Sequence, residues 1–131
     1  MARDEVEFLR AGYDALARGD LETFTALSRE RLAEEFEFHH VWDGRVFRGF
    51  EGTMEWIADA RDTWDEYSQE IAELIDLGDD VVVVLRLSAR GGGSGVPVAQ
   101  ELAVLWTFED GKAIRARSFT SKEEALESGD L

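Results

Sequence analysis

The run from residue 81 to residue 120 constrains this chain most: VVVVLRLSAR, VPVAQELAVLWTFE and KAIRARSFT read as consecutive strands, because β-branched and aromatic residues fill them. Between the last two stands Asp110-Gly111. A two-residue hairpin turn needs positive φ at both positions, and Asp-Gly is among the pairs that tolerate it best. If that turn sets the register, Glu109 faces Lys112, Thr107 faces Ile114, Leu105 faces Ala116 and Ala103 faces Ser118. One face of the hairpin is then small and almost uncharged, with Ala103, Leu105 and, further along, Glu101. The other carries Trp106, Arg115 and Arg117 among bulky apolar residues. The small face is expected to floor a pocket. The Trp-Arg face is expected to meet a second copy of the chain, since aromatic residues and arginine are enriched where surfaces are covered.

Upstream, Val6, Leu9, Tyr13 and Leu16 recur at helical spacing over residues 5–17. Gly19 ends that helix and Asp20 caps a second, LETFTALSRERL. From residue 34 the period becomes two: Phe36, Phe38, His40 and Trp42 alternate with Glu35, Glu37, His39 and Val41, as in a half-buried strand. DGRVFRG turns into a short second strand, and GTMEWIADARDTW forms a third helix. Residues 64–77 fit a helix and a strand equally well, and periodicity leaves them open. SKEEALESG closes the chain as a short helix. GGGSG joins two antiparallel strands and opens no helix, so it is read as a hairpin turn and not a phosphate cradle.

The 131 residues are expected to form a single domain, residues 1–131. No apolar run approaches the roughly 20 residues that span a membrane, and MARDEVEFLR lacks a signal-peptide core, so a cytoplasmic location is expected. A net charge of -15 repels phosphate backbones and anionic lipid, which argues against nucleic-acid and membrane partners. The chain has no cysteine, which excludes thiolate chemistry and disulfides.

His40 shares a strand side with Phe36 and Phe38, and an imidazole titrates near neutral pH. It is read either as a general base or as a hydrogen-bonded histidine in an aromatic wall. His39 points the other way, so the two cannot hold one metal together, and no metal site is expected. Arg86 interrupts an apolar strand and needs a partner, for which Glu101 on the next strand is the candidate. Such a pair inside a cavity would assist His40; at a rim or an interface it would be structural. Trp42, Trp56 and Trp64 are candidates to line an apolar ligand cavity.

GYDALARGDLETF, FEFHH, RVFRGFEGTMEWI, LAVLWTFEDGKAIRARSF and EEAL together resemble the nuclear-transport-factor-2-like superfamily, in its SnoaL-like and ketosteroid-isomerase-like group. The resemblance covers nearly the whole chain. It implies an α+β cone, a strongly bent sheet wrapped around three helices with an apolar cavity between them, and it makes residues 64–77 largely strand. It also implies pairing through the outer sheet face, and no cofactor. His40 falls close to the position of the ketosteroid isomerases' carboxylate base, and Tyr13 one position from their tyrosine donor. The group holds isomerases, cyclases, hydratases, dehydratases and proteins that only bind. Three functions follow: cofactor-independent isomerase, cyclase or hydratase chemistry on a small apolar molecule, with His40 as the base and Arg86, Glu101 or Tyr13 assisting; binding of such a molecule without chemistry; or an accessory dimerisation module whose cavity is filled by side chains. Tyr13, Phe38, Ala103 and Leu105 would line the site in the first two cases.

Overall fold

The computed structural model describes residues 2–40, 44–91 and 97–129, and the side chains within them except 2–3, 60–68, 89–91, 97–100 and 129. In chain order the elements are α1 (Ala2–Arg18), α2 (Leu21–Arg31), β1 (Leu32–His39), β2 (Val46–Arg48), α3 (Gly49–Thr63), β3 (Trp64–Asp76), β4 (Asp80–Gly91), β5 (Pro97–Glu109), β6 (Lys112–Phe119) and α4 (Lys122–Gly129). The strands form one sheet in the order β2-β1-β6-β5-β4-β3. Among the described residues only the β1–β6 pairing is parallel.

Local chemistry accounts for the first junction. Gly19 takes φ of 72°, and its N–H closes back on the Leu16 carbonyl at 3.1 Å. Asp20 then caps α2 by accepting from the Thr23 N–H at 3.1 Å and the Thr23 hydroxyl at 2.7 Å. The hydroxyl bond, followed by the amide bond, lowers the Asp20 pKa, because both favour the charged form.

Residues 64–77, open on periodicity, are strand. The extended β3 pairs with β4 from Trp64 opposite Gly91 to Asp76 opposite Val81. Cross-strand bonds over that length outweigh a weak helical pattern, since propensity is only a prior.

β4 explains why its sequence does not alternate. Val81, Val83, Leu85 and Leu87 pack toward α1, while Val82 and Val84 pack with Ala103, Leu105 and Ala125 of α4. A strand covered on both faces reads as a continuous apolar run.

The hairpin after β5 departs from the expected register. Asp110 and Gly111 take φ of 54° and 80°, and Glu109 pairs with Lys112 as the turn predicts. Phe108 then pairs with Ala113, but Thr107 pairs with Arg115, so Ile114 is an extra residue, a β-bulge. Beyond it every pairing moves by one: Trp106 opposes Ala116, Leu105 opposes Arg117 and Ala103 opposes Phe119. Because side chains alternate along a strand, the slip exchanges the faces of β6. Ala113 and Ala116 both turn inward into the core, and the two arginines turn outward. The expected pocket floor is also corrected, because the first helices cover the other face of β5. Ala103 and Leu105 lie on the outer layer under α4, and the Trp106 face is the inner one.

Glu5, in the first turn of α1, is 6% exposed. Burial raises its carboxyl pKa above the ordinary 4.5, and the charges of Asp79 and Asp76 raise it further. A raised folded-state pKa means the folded protein holds this proton more tightly than the unfolded chain. The resulting stability is complete below about pH 4.5 and is lost as pH rises through the folded value. Glu5→Gln, uncharged throughout, is expected to be more stable than the parent at pH 7 and equal to it at pH 4. Urea midpoints of both proteins at the two pH values check this.

Candidate functional site

The inner face of the sheet and the first three helices enclose an apolar cavity of about 50 Å³. α1 contributes Phe8, Leu9, Gly12, Tyr13 and Leu16, spaced at three and four residues as one helical face requires. α2 adds Phe24, Leu27 and Ser28, and α3 adds Thr53 and Trp56. Leu32, Phe36 and Phe38 of β1 and Trp106 of β5 complete the wall.

Trp106 is the centre of this wall. Its ring stacks on Phe36 at 5.7 Å and 18° and on Phe108 at 6.4 Å and 24°. Phe8 and Tyr13 meet it edge-on, each at 6.3 Å. Its indole N–H donates to the Tyr13 hydroxyl at 3.1 Å, a contact between residues 93 apart in sequence. The residue opposite on β6 is Ala116, whose small side chain leaves the indole room. This corrects the assignment of Trp106 to an outer partner surface: the helices cover the side of β5 that carries Trp106, so the indole packs against the core.

The wall is chemically plain. Among its described residues the polar groups are hydroxyls and the two indole N–H groups of Trp56 and Trp106, and none is a carboxylate, imidazole, ammonium or guanidinium. The Thr53 hydroxyl donates to the Gly49 carbonyl at 3.0 Å. Tyr13 accepts from Trp106, which aligns its oxygen at the polar edge of the cavity. Such a lining can orient a hydroxyl or carbonyl, but it supplies no proton acceptor of its own near neutral pH.

His40 lies just beyond this wall. It follows β1, and its backbone is pinned in the β1–β2 connection, donating to the Arg45 carbonyl at 2.9 Å and accepting from the Gly44 N–H at 3.0 Å. Its ring meets Phe38 edge-on at 5.8 Å, and Phe38 in turn meets the Trp56 ring at 5.3 Å. Phe38 forms the cavity wall there, with the imidazole behind it. His39 points to the other side of β1, its Nε2 3.1 Å from Glu37 Oε1, and Glu37 also pairs with Arg48. The His39 bond, with Arg48 adding to it, holds the Glu37 carboxyl below its ordinary range.

Arg86 and Glu101 stand directly opposite each other on β4 and β5, as expected, but both are exposed. They alternate with the inward Leu85, Leu87 and Leu102, which puts them on the outer face. The expectation that they enter the cavity beside His40 is corrected, and the three residues do not converge. Arg115 is exposed on the outer face, and Arg117 is half-buried there, 5.8 Å from the Phe119 ring. Burial, with Arg115 adding to it, lowers the Arg117 pKa. Trp42 and the side chain of Trp64 lie outside the described residues. Among the described residues no group of three carboxylate or imidazole ligands is placed to hold a metal.

Sequence reasoning missed Ser28 and Thr53. Both were within reach: Phe24, Leu27 and Ser28 fall on one helical stripe, as do Thr53, Trp56 and Ile57.

A bent mixed sheet packed on helices, with an apolar cavity between, defines the α+β cone of nuclear-transport-factor-2-like proteins. The SnoaL-like domain matches residues 9–116, and the chain belongs to that family. Several solved structures are similar. A SnoaL-like polyketide cyclase from Jannaschia sp. CCS1 is 22% identical over 95% of this chain and 90% of that one, with a TM-score of 0.77. A protein of ketosteroid isomerase-like fold from Catenulispora acidiphila, in complex with trimethylamine, is 17% identical over 95% and 93%, with a TM-score of 0.75. An NTF2-like protein of unknown function from Burkholderia pseudomallei is 20% identical over 95% of each chain, with a TM-score of 0.76. No curated protein sequence matches. At these identities the structural likeness speaks for the fold alone. No helix among the described residues is long and apolar enough to cross a membrane.

Proposed function

We propose that this chain binds a small, mostly apolar molecule in the inner cavity, with Tyr13 and Trp106 at its polar edge and Phe36, Phe38 and Trp56 as walls. One observation carries the reading. Gly12 sits inside α1 on the cavity wall, and a Cβ built there would have no non-neighbouring atom within 4 Å. Glycine in a helix interior costs about 0.5–1 kcal/mol relative to alanine. Helix stability is given up where the missing side chain leaves cavity space.

The cavity's size limits the guest. Pockets for drug-sized ligands run to roughly 300–1,000 Å³, well above the present 50 Å³. A larger occupant must push aside Phe24 or Trp56, which are only half-buried. Small neutral ring compounds fit this better than charged ones, since the wall offers no counter-charge.

The second reading is cofactor-independent isomerase, cyclase or hydratase chemistry with His40 as the acid-base group. It is favoured by the contact of the imidazole with Phe38, which leaves one side chain between ring and cavity. One of the similar structures bears the name SnoaL-like polyketide cyclase, which supports this reading.

Gly12→Ala is expected to stabilise the protein by about 0.5–1 kcal/mol, and Gly12→Leu to stay folded while filling the cavity. Titration with naphthol, followed by tryptophan fluorescence, should saturate in the parent and fail in Gly12→Leu. Equal binding by both proteins places the guest elsewhere. For the catalytic reading, His40→Ala should keep affinity and lose turnover of a screened carbonyl compound; unchanged turnover removes His40 from the mechanism.

A further inference from the structure

Two buried hydroxyls stand on the wall of the inner cavity, and they differ in their partners. Ser28 on α2 is 3% exposed, and Thr53 on α3 is 8% exposed. A serine or threonine inside a helix often turns its hydroxyl back to the carbonyl four residues earlier. Thr53 does so, donating to the Gly49 carbonyl at 3.0 Å. Ser28 does not: its hydroxyl meets no partner among the described residues, although its carbonyl accepts the Leu32 N–H that closes α2. Among the described residues the unpaired side-chain atoms that are fully enclosed are Gln69 Nε2 and Arg117 Nε, so the Ser28 oxygen keeps an open side. Ser28 is shut off from bulk water and lines the cavity, so the open side is the cavity. Buried polar groups are almost always paired, and a free hydroxyl facing a cavity marks where a partner from outside belongs.

The two hydroxyls lie at one level of the wall. The Thr25 hydroxyl meets the Met54 sulfur at 3.7 Å, and the Arg29 guanidinium sits 4.2 Å from the centre of the Phe50 ring. α2 and α3 therefore run in opposite directions along this stretch, and Ser28 and Thr53 both fall between those contacts. Their hydrogen-bonding capacities are complementary. Ser28 has a proton to donate, whereas the Thr53 proton is committed to Gly49 and its oxygen only accepts. A guest hydroxyl accepts from the first and donates to the second. A carbonyl satisfies Ser28 alone, and a hydrocarbon satisfies neither. An anionic guest is disfavoured, since no cation stands on the described wall. We propose that Ser28 and Thr53 form a hydroxyl-binding subsite, which selects small phenols and cyclic alcohols as guests of the cavity. This selection rests on the cavity reading and gives the chemical class of its guest.

Titration of the parent, Ser28→Ala and Thr53→Val with phenol, cyclohexanone and toluene, followed by nitrogen-proton NMR, tests this. Toluene reports the cavity itself and should bind all three proteins alike. Phenol should bind the parent about tenfold more tightly than either variant, as loss of one buried hydrogen bond implies. Cyclohexanone should weaken in Ser28→Ala and keep its affinity in Thr53→Val, which preserves the shape of the side chain. Ser28→Cys, with a weaker donor of similar bulk, gives the same readout if alanine disturbs α2. If toluene binds while phenol ignores Ser28→Ala, water satisfies the serine, and the subsite falls while the cavity reading stands. Phenol weakened by Ser28→Ala but not by Thr53→Val would overturn the preference for hydroxyls over ketones. Failure of all three probes to bind the parent would overturn both readings.

Discussion

Trp106→Ala is expected to destabilise the fold by about 3 kcal/mol, the low end of the range for removing a large core aromatic, since the indole is partly buried. The indole stacks on Phe36 and Phe108, takes edge contacts from Phe8 and Tyr13, and donates to the Tyr13 hydroxyl. Ala116 opposite cannot fill the space, so the wall would be left around a larger hole. Urea unfolding should show a lower midpoint with little change in slope. Indole at millimolar concentration should then raise the melting temperature of the variant by more than that of the parent, because the enlarged apolar cavity has the shape of the ring that was removed. If Trp106 instead faced outward, its removal would cost far less and indole would rescue nothing.

Ala116→Asp should have a comparable effect by another route. Ala116 is fully buried on the inner face, packed in the core with Phe36 and partly buried Trp106. A carboxylate there has no cation to meet, and an uncompensated buried charge costs about 3–5 kcal/mol. Arg115→Ala, one residue away but exposed, should stay within about 0.5 kcal/mol of the parent. The contrast reads the bulge directly. In the hairpin without Ile114 as an extra residue, Ala116 would share the Leu105 side and Arg115 would share the Trp106 side, so the cost of changing position 115 would rise. Denaturation midpoints of the two variants decide between the registers.

Much of the fold was legible because local chemistry and tertiary structure agree. The α1 stripe, the Asp20 cap and the Asp110-Gly111 turn are short-range signals, and each appears where the residues call for it. The family resemblance chose strand for residues 64–77, where the residues alone were neutral. The candidate site was less legible. Tyr13, Phe38 and Trp56 line the cavity as expected. Arg86 and Glu101 were correctly paired and put on the wrong face, because a pairing register does not say which face the helices cover. That the Ser28 hydroxyl is left unpaired has no sequence signature, since every serine carries the same donor until the fold turns it from its own helix.

The sequence by itself determined the helices, the hairpin turn and most of the strands through patterns within a few residues, and left residues 64–77 open. The tertiary structure decided which side of that hairpin is inside. One bulged residue, Ile114, reverses the faces of β6, turning Ala116 toward Trp106 and Arg115 and Arg117 away from the cavity. A side-chain period of two makes the face of every β6 residue beyond the bulge depend on that insertion, while the inner face of β5 follows from the side that the helices cover, which no local pattern announces.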